Sequence, residues 1–380
     1  MKKIWIFITT LALSAFLIFL GADIPEKQSF DRTYVLLEAD TMSVLKAENA
    51  DKKVNVGYLS KLMSLLLVAE DIETGKYALD DKLSASENVS GTKGAVVWIE
   101  AGDSLTVEEL LKSVIIGNAN DAMLVLAEAS EQTAEKFVKR MNAKAFDIGL
   151  RNTAFYSPCG YYDEREYTTA YDIAVVCACL TEYDFLCPYF STWRDFVKKD
   201  SVELVNENVL SRTYEPHIGF KLSHSEKNGY CIAEGGKNEN GMICIGVVLG
   251  ADSENTAYSE VKKLLKSGFS NFSVVSTMFP DEMLMPLKVR NGESPAVEIV
   301  LERQADFAVP NENSDTKTVI IVPEYIDAPV KRGQRIGTAA FYNGKTLMYE
   351  SPIIVKSDVK RLSVSFVVKK MLAELTEKLC

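Results

Sequence analysis

The chain has 380 residues, 47% of them hydrophobic, which is material for two domains with their own cores and excludes a mainly disordered protein. A formal net charge of -11, with no basic patch of interleaved aromatics, excludes a nucleic-acid partner, whose phosphates would repel such a surface. The seven cysteines are an odd count set largely in apolar runs, so they read as small buried hydrophobes rather than a disulfide framework. Cys177-Ala178-Cys179 has the wrong spacing for a zinc knuckle and only His217 and His224 could complete a site, so neither a metal nor another cofactor is expected.

Met1-Lys2-Lys3 followed by the apolar run Ile4 to Leu20 has the form of a secretory signal over residues 1–22 and places the protein outside the cytoplasm, in the cell envelope. The cleavage site is poor, because Leu20 stands two positions before Ala22 where a small residue belongs, and the run approaches the ~17 residues that span a bilayer. The segment is either a cleaved signal or an uncleaved anchor.

Tyr34–Asp40 and Ser43–Ala47 predict a β-hairpin around a short polar turn. Helical spacing follows over Leu59–Ile72 and over Val107–Ile116, the latter opened by Ser104-Leu105-Thr106, and then over Asp121–Ala129, Gln132–Ile148 and Ala170–Thr181. Strand character returns at His217–Leu222, Tyr230–Glu234 and Met242–Leu249, joined by polar turns, and Val261–Phe272 is again helical. Sheet, helices, sheet and helix make an α/β sandwich over residues 28–275 in which the two ends share one sheet. Short alternating strands at Ala296–Leu301, Thr318–Val322 and Gly337–Tyr342 then predict a small all-β domain over residues 280–356.

In the last segment, residues 357–380, a helix over Val359–Leu379 puts Val359, Leu362, Phe366, Leu372, Leu375 and Leu379 at three- and four-residue steps, with Lys360, Arg361, Lys369, Lys370 and Lys378 elsewhere. This basic amphipathic pattern suits an anionic membrane surface or, alternatively, packing on the β domain.

Ala101-Gly102-Asp103-Ser104-Leu105-Thr106-Val107, Asn120-Asp121-Ala122, Gly149-Leu150-Arg151-Asn152-Thr153, Tyr167-Thr168-Thr169-Ala170-Tyr171-Asp172 and Val247-Val248-Leu249-Gly250-Ala251 together carry a resemblance to the D-alanyl-D-alanine carboxypeptidases, low-molecular-mass penicillin-binding proteins. It runs from about Thr33 to Ala251. The segment Asp327–Gln334 with Gly337 looks like the family's C-terminal β domain. The resemblance implies the penicillin-binding, β-lactamase-like transpeptidase fold and an enzyme that removes the terminal D-alanine of peptidoglycan stem peptides through a seryl acyl-enzyme, with a lysine as base.

The family's S-x-T-K motif falls on Tyr58-Leu59-Ser60-Lys61, its S-x-N on Asn118-Ala119-Asn120 and its K-T-G on Lys221-Leu222-Ser223. The resemblance therefore implies Lys61, Asn118 and Asn120 as the catalytic positions and Lys221, Leu222 and Ser223 as the substrate-binding ones. All three motifs are altered. A phenol ionises more readily than an alkyl hydroxyl, but the oxygen of Tyr58 lies several ångströms farther from the backbone, and a misplacement of about 1 Å can cost roughly 100-fold. Leu222 removes a hydroxyl for the substrate carboxylate, and Ser223 adds a side chain where the peptide backbone lies close.

No other serine is an obvious replacement. Ser60 adjoins Lys61, and helical neighbours point about 100° apart. Ser64, at i+3 from Lys61, could touch it. Literal S-x-x-K strings at Ser43, Ser90, Ser259, Ser314 and Ser357 are chance matches in a lysine-rich chain. The alternatives to a site role are that Lys61 is a buried hydrogen-bonded lysine, Asn120 a helix cap, Lys221 a sheet-edge charge and His224 an exposed turn residue. The expectation is a pseudoenzyme, in which Lys61, Asn120 and Lys221 hold the stem peptide without hydrolysis. The alternatives are an active or weakly active carboxypeptidase using Tyr58 or Ser64, and a structural, partner-binding envelope protein.

Overall fold

The computed structural model describes residues 30–276, 284–313 and 316–377. The signal or anchor segment, Leu379 and Cys380 lie outside the described residues.

The chain opens with β1 (Thr33–Glu38) and β2 (Ser43–Glu48), an antiparallel hairpin whose turn is held by buried Glu38, which accepts from the Thr41 backbone N–H at 2.8 Å. A 3₁₀ turn at Gly57–Ser60 runs into α1 (Lys61–Glu73), which is buried nearly all round. Its polar residues must therefore be paired. Asp71 shows how, accepting from Arg140 at 2.7 Å and from Ser130 at 2.6 Å.

A small hairpin of β3 (Lys82–Ser84) and β4 (Ser104–Thr106) leads to α2 (Val107–Ile115), which starts at a capping box in which Thr106 and Glu109 satisfy each other's backbone N–H groups. Helices α3 (Asn120–Glu131), α4 (Ala134–Asp147) and α5 (Ala170–Thr181) follow, the last two capped by Thr133 and Thr169. Then come α6 (Cys187–Ser191), the hairpin β5 (Arg194–Val197) and β6 (Val202–Val205), and the single turn α7 (Leu210–Thr213). The meander β7 (His217–Ser225), β8 (Gly229–Lys237) and β9 (Ile243–Ala251) is followed by α8 (Glu254–Asn271). This helix begins seven residues before the predicted Val261. Ser253 caps it, and its first turn, Glu254-Asn255-Thr256, is polar and invisible to apolar periodicity.

The five-stranded sheet has the order β2-β1-β9-β8-β7, all antiparallel, so the two ends of the α/β sandwich do share it. Strand alternation sorts its two faces. Val35, Leu37 and Val247 join the large helical core that contains α1 and α5, while Leu36, Val248 and Ile232 pack against Val261 and Leu265 of α8. Strand β7 is the edge facing the 3₁₀ turn.

Past α8, β10 (Phe272–Ser276) enters the β domain by pairing with β14 (Asp306–Pro310). There β11 (Leu287–Arg290) lies between β12 (Ala296–Val297) and β16 (Tyr325–Asp327), and β13 (Ile299–Leu301), β18 (Thr346–Val355), β17 (Arg335–Asn343) and β15 (Thr316–Ile321) form a second sheet. The single strand predicted over Ala296–Leu301 is split at Glu298 between those two sheets. Val289, Val309, Phe341 and Ile353 are among the residues that fill the core between them.

The terminal helix α9 is Val364–Glu377. It starts five residues later than predicted because Val359 is a core residue of the β domain, bridged to Val330. Val364, Met371 and Leu372 are exposed.

Candidate active-site cleft

Gly57 makes the cleft's first turn possible. Its φ is +55°, and a Cβ there would lie 2.9 Å from the Ser223 hydroxyl on β7. This close approach lets Ser223 Oγ accept the Tyr58 backbone N–H at 3.1 Å. In a serine acyl-transferase the nucleophile's own N–H is one of the donors that stabilise the oxyanion. Here it is already satisfied from within the protein.

The half-buried Tyr58 ring lies against the Lys61 amine, 4.5 Å from centroid to Nζ. At its other end, the phenol oxygen is 3.1 Å from where a Gly94 Cβ would be, and the Asn120 amide nitrogen is 2.6 Å from that same point. The ring thus reaches from Lys61 towards Asn120.

Asn118, in a left-handed conformation with φ 55°, joins the two lysines. Lys61 Nζ donates to the Asn118 carbonyl at 2.6 Å and to its Oδ1 at 2.8 Å. Lys221 Nζ donates to the Val114 carbonyl at 2.8 Å and, longer, to Asn118 Oδ1 at 3.5 Å. Burial lowers the pKa of both amines, and for Lys61 the nearby Lys221 charge adds to it. Lys221 falls to about 8. The structure therefore brings Tyr58, Lys61, Asn118, Asn120, Lys221 and Ser223 into one cluster, with Leu222 half-buried on the opposite pleat.

Several expectations are corrected. Asn120 is no cap: Ala119 holds that position, and Asn120 Nδ2 donates to the Lys93 carbonyl at 2.7 Å. Its buried Oδ1 accepts no hydrogen bond from any described residue. Lys221 is no exposed sheet-edge charge, since its amine is buried. Both lysine amines are hydrogen-bonded within the protein, Lys61 to Asn118 and Lys221 to Val114, Ile115 and Asn118. Ser64 turns away from Lys61 and donates to the Pro158 carbonyl at 2.8 Å. His224 is exposed as expected, but on β7, stacked 4.2 Å from Tyr230, rather than in the turn.

Glu166 escaped sequence reasoning because Asp163-Glu164-Arg165-Glu166 looks like a solvated charge run. It is buried behind the 3₁₀ turn, accepting from Ser60 Oγ at 2.6 Å and the Tyr156 backbone N–H at 3.1 Å. Burial pushes its pKa up to about 7. A carboxyl raised from 4.5 contributes stability fully present below pH 4.5 and lost as pH rises to about 7. Glu166→Gln is therefore expected to flatten the stability profile between those pH values, where the wild type loses up to roughly 3 kcal/mol of this contribution. Urea melts at pH 5 and pH 8 measure it, and an unchanged difference between them would remove Glu166 as the cause.

Among the described residues six cysteines are free thiols, with Cys159, Cys177, Cys231 and Cys244 buried as small hydrophobes. Among the described residues, no group of three or more His, Cys, Asp or Glu side chains could hold a metal ion.

Residues 23–253 match the D-alanyl-D-alanine carboxypeptidase family (peptidase S11), and residues 272–361 match the C-terminal domain of penicillin-binding protein 5. The chain is 30% identical over 379 residues to the D-alanyl-D-alanine carboxypeptidase DacF of Bacillus subtilis, covering 98% of this chain and 97% of that one. It is 28% identical to DacC of Escherichia coli, covering 87% of this chain and 84% of that one. Penicillin-binding protein 5 of Haemophilus influenzae superposes with a TM-score of 0.78 at 25% identity, covering 90% of this chain and 100% of that structure. The α/β domain and the β domain behind it are thus those of the penicillin-binding fold, and this chain belongs to the D-alanyl-D-alanine carboxypeptidase family of cell-wall proteins.

Proposed function

We propose that this protein is a catalytically silent member of its family, outside the cytoplasm, that holds the peptidoglycan stem peptide without cleaving it. The observation that carries this is the Tyr58 side chain: an aromatic ring lies against Lys61 where the family has a serine hydroxyl. Ser223 reinforces the silence by occupying the Tyr58 N–H. Peptide contact falls to β7, the sheet edge that an extended peptide can join as an added strand. The peptide lies over the Tyr58 ring rather than beneath it. Titration with an acyl-D-alanyl-D-alanine peptide is expected to give saturable binding with no D-alanine released. Release of D-alanine that Tyr58→Phe or Ser64→Ala abolishes would establish the active-enzyme alternative instead.

The exposed apolar face of α9, with Lys369 and Lys370 on the same helix, supports contact with an anionic membrane surface. Among the described residues no helix is long and apolar enough to cross a membrane. Deleting residues 363–380, which spares Val359 in the β core, is expected to weaken sedimentation with anionic vesicles. Undiminished binding would assign attachment to the N-terminal segment.

A further inference from the structure

Beside the cleft lies a second concavity of about 490 Å³, between α3, α4 and the loop that follows Phe155. Its volume is inside the roughly 300–1,000 Å³ of small-molecule sites. Leu124 and Val138 supply apolar surface, and Tyr156, Tyr161 and Tyr162 supply three aromatic rings that remain 41%, 39% and 50% exposed.

Each tyrosine is already held in place. The Arg165 guanidinium lies 4.4 Å from the Tyr156 ring and forms a two-pronged pair with Asp163. Lys227 Nζ lies 4.6 Å from the Tyr162 ring and donates to its hydroxyl at 2.8 Å. The Tyr161 hydroxyl donates to the Lys93 carbonyl at 3.0 Å, the same carbonyl that receives Asn120 Nδ2. The loop beneath them is anchored by the buried pairings of Glu166 with Tyr156 N–H and Ser64 with the Pro158 carbonyl. Rings fixed in advance bind without an ordering cost.

Flat aromatic faces edged with hydroxyls suit a ligand that is itself apolar on one face and hydroxylated at its rim, which is the chemistry of a pyranose. Charge points the same way. Glu135 and Lys139 oppose each other in sign on the lining, and Asp163 is neutralised by Arg165, so the groove favours an uncharged ligand over an anion. It is also continuous with the cleft: Tyr161 shares a carbonyl with Asn120, and Cys159 both lines the groove and donates its thiol to the Asn120 carbonyl at 3.4 Å.

We propose that this groove is a saccharide-binding site for the amino-sugar strand from which the stem peptide hangs. The proposal rests on the wall-binding role proposed above and extends it from the peptide to its glycan. The protein then grips peptidoglycan at two adjoining points, which a non-hydrolysing binder can use where an enzyme must let go.

The test is calorimetric titration of the full chain with a soluble N-acetylglucosamine tetramer. Saturable binding is expected, weakened at least about 10-fold by Tyr162→Ala and changed less than about 2-fold by Tyr162→Phe, which keeps the ring. If Tyr162→Ala lowers the melting temperature, Tyr156→Ala serves in its place with the same expected loss. No binding by the wild type, or equal binding by the alanine variants, overturns the proposal. Separate titration with the acyl-D-alanyl-D-alanine peptide distinguishes the two ideas. Peptide binding without saccharide binding eliminates the groove alone, whereas saccharide binding without peptide binding sustains the groove and removes the role assigned to the cleft.

Discussion

Tyr58→Ser by itself is expected to leave the protein without measurable acylation by penicillin, whereas the fourfold change Tyr58→Ser, Asn118→Ser, Leu222→Thr and Ser223→Gly is expected to raise the acylation rate by at least roughly 100-fold over the single variant. The single change restores a hydroxyl at i to Lys61 at i+3 and removes the ring from the groove. It does not clear the Tyr58 N–H, which Ser223 Oγ holds at 3.1 Å. Losing one oxyanion donor costs about 100- to 1,000-fold in acyl transfer, so an obstructed donor alone keeps the single variant slow. Ser223→Gly releases it and reopens the strand edge. Leu222→Thr returns the hydroxyl for the substrate carboxylate, and Asn118→Ser returns the hydroxyl that passes a proton to the leaving amine. Equal acylation by the single and fourfold variants would show that the nucleophile was the only lesion.

Asn118→Ala carries an expected cost in stability of roughly 1–3 kcal/mol. Its amide oxygen accepts from Lys61 at 2.8 Å and from Lys221 at 3.5 Å, both amines being buried. Removing it takes one acceptor from each of two buried amines, while Lys61 keeps the residue-118 carbonyl and Lys221 the Val114 carbonyl. Alanine also fits a φ of 55° less well than asparagine, adding about 1 kcal/mol. At about 2–4 °C per kcal/mol for a domain of this size, the melting temperature should fall by roughly 5–10 °C. Asn118→Asp keeps the acceptor and adds the opposite charge, so it is expected to stay near the wild type. A melting temperature for Asn118→Ala within about 2 °C of the wild type would mean that Asn118 does not hold the lysines together.

These two experiments turn on features of unequal visibility in the sequence. The motif positions were legible because the surrounding residues keep the family's pattern, and Ser104-Leu105-Thr106 marked the start of α2. The β5–β6 hairpin was not legible. Its turn runs through Lys198, Lys199 and Asp200, all at positive φ, where glycine or asparagine is the usual signal. Glu166 was hidden for a related reason, since local composition cannot tell which member of a charge run turns inward. Nor could spacing reveal that Ser223 would cap the Tyr58 N–H, because that contact joins residues 165 positions apart. The groove of three tyrosines was equally hidden, since only the folded loop sets their rings beside α3 and α4.

The most direct measurement is the intact mass of the wild-type protein after prolonged incubation with benzylpenicillin, followed by denaturation. An unchanged mass is the expected result, because the Ser60 and Ser64 hydroxyls bond Glu166 and Pro158 rather than Lys61, and the Tyr58 N–H is taken. A stable increment equal to one penicilloyl group, mapped to Tyr58, Ser60 or Ser64, would contradict it.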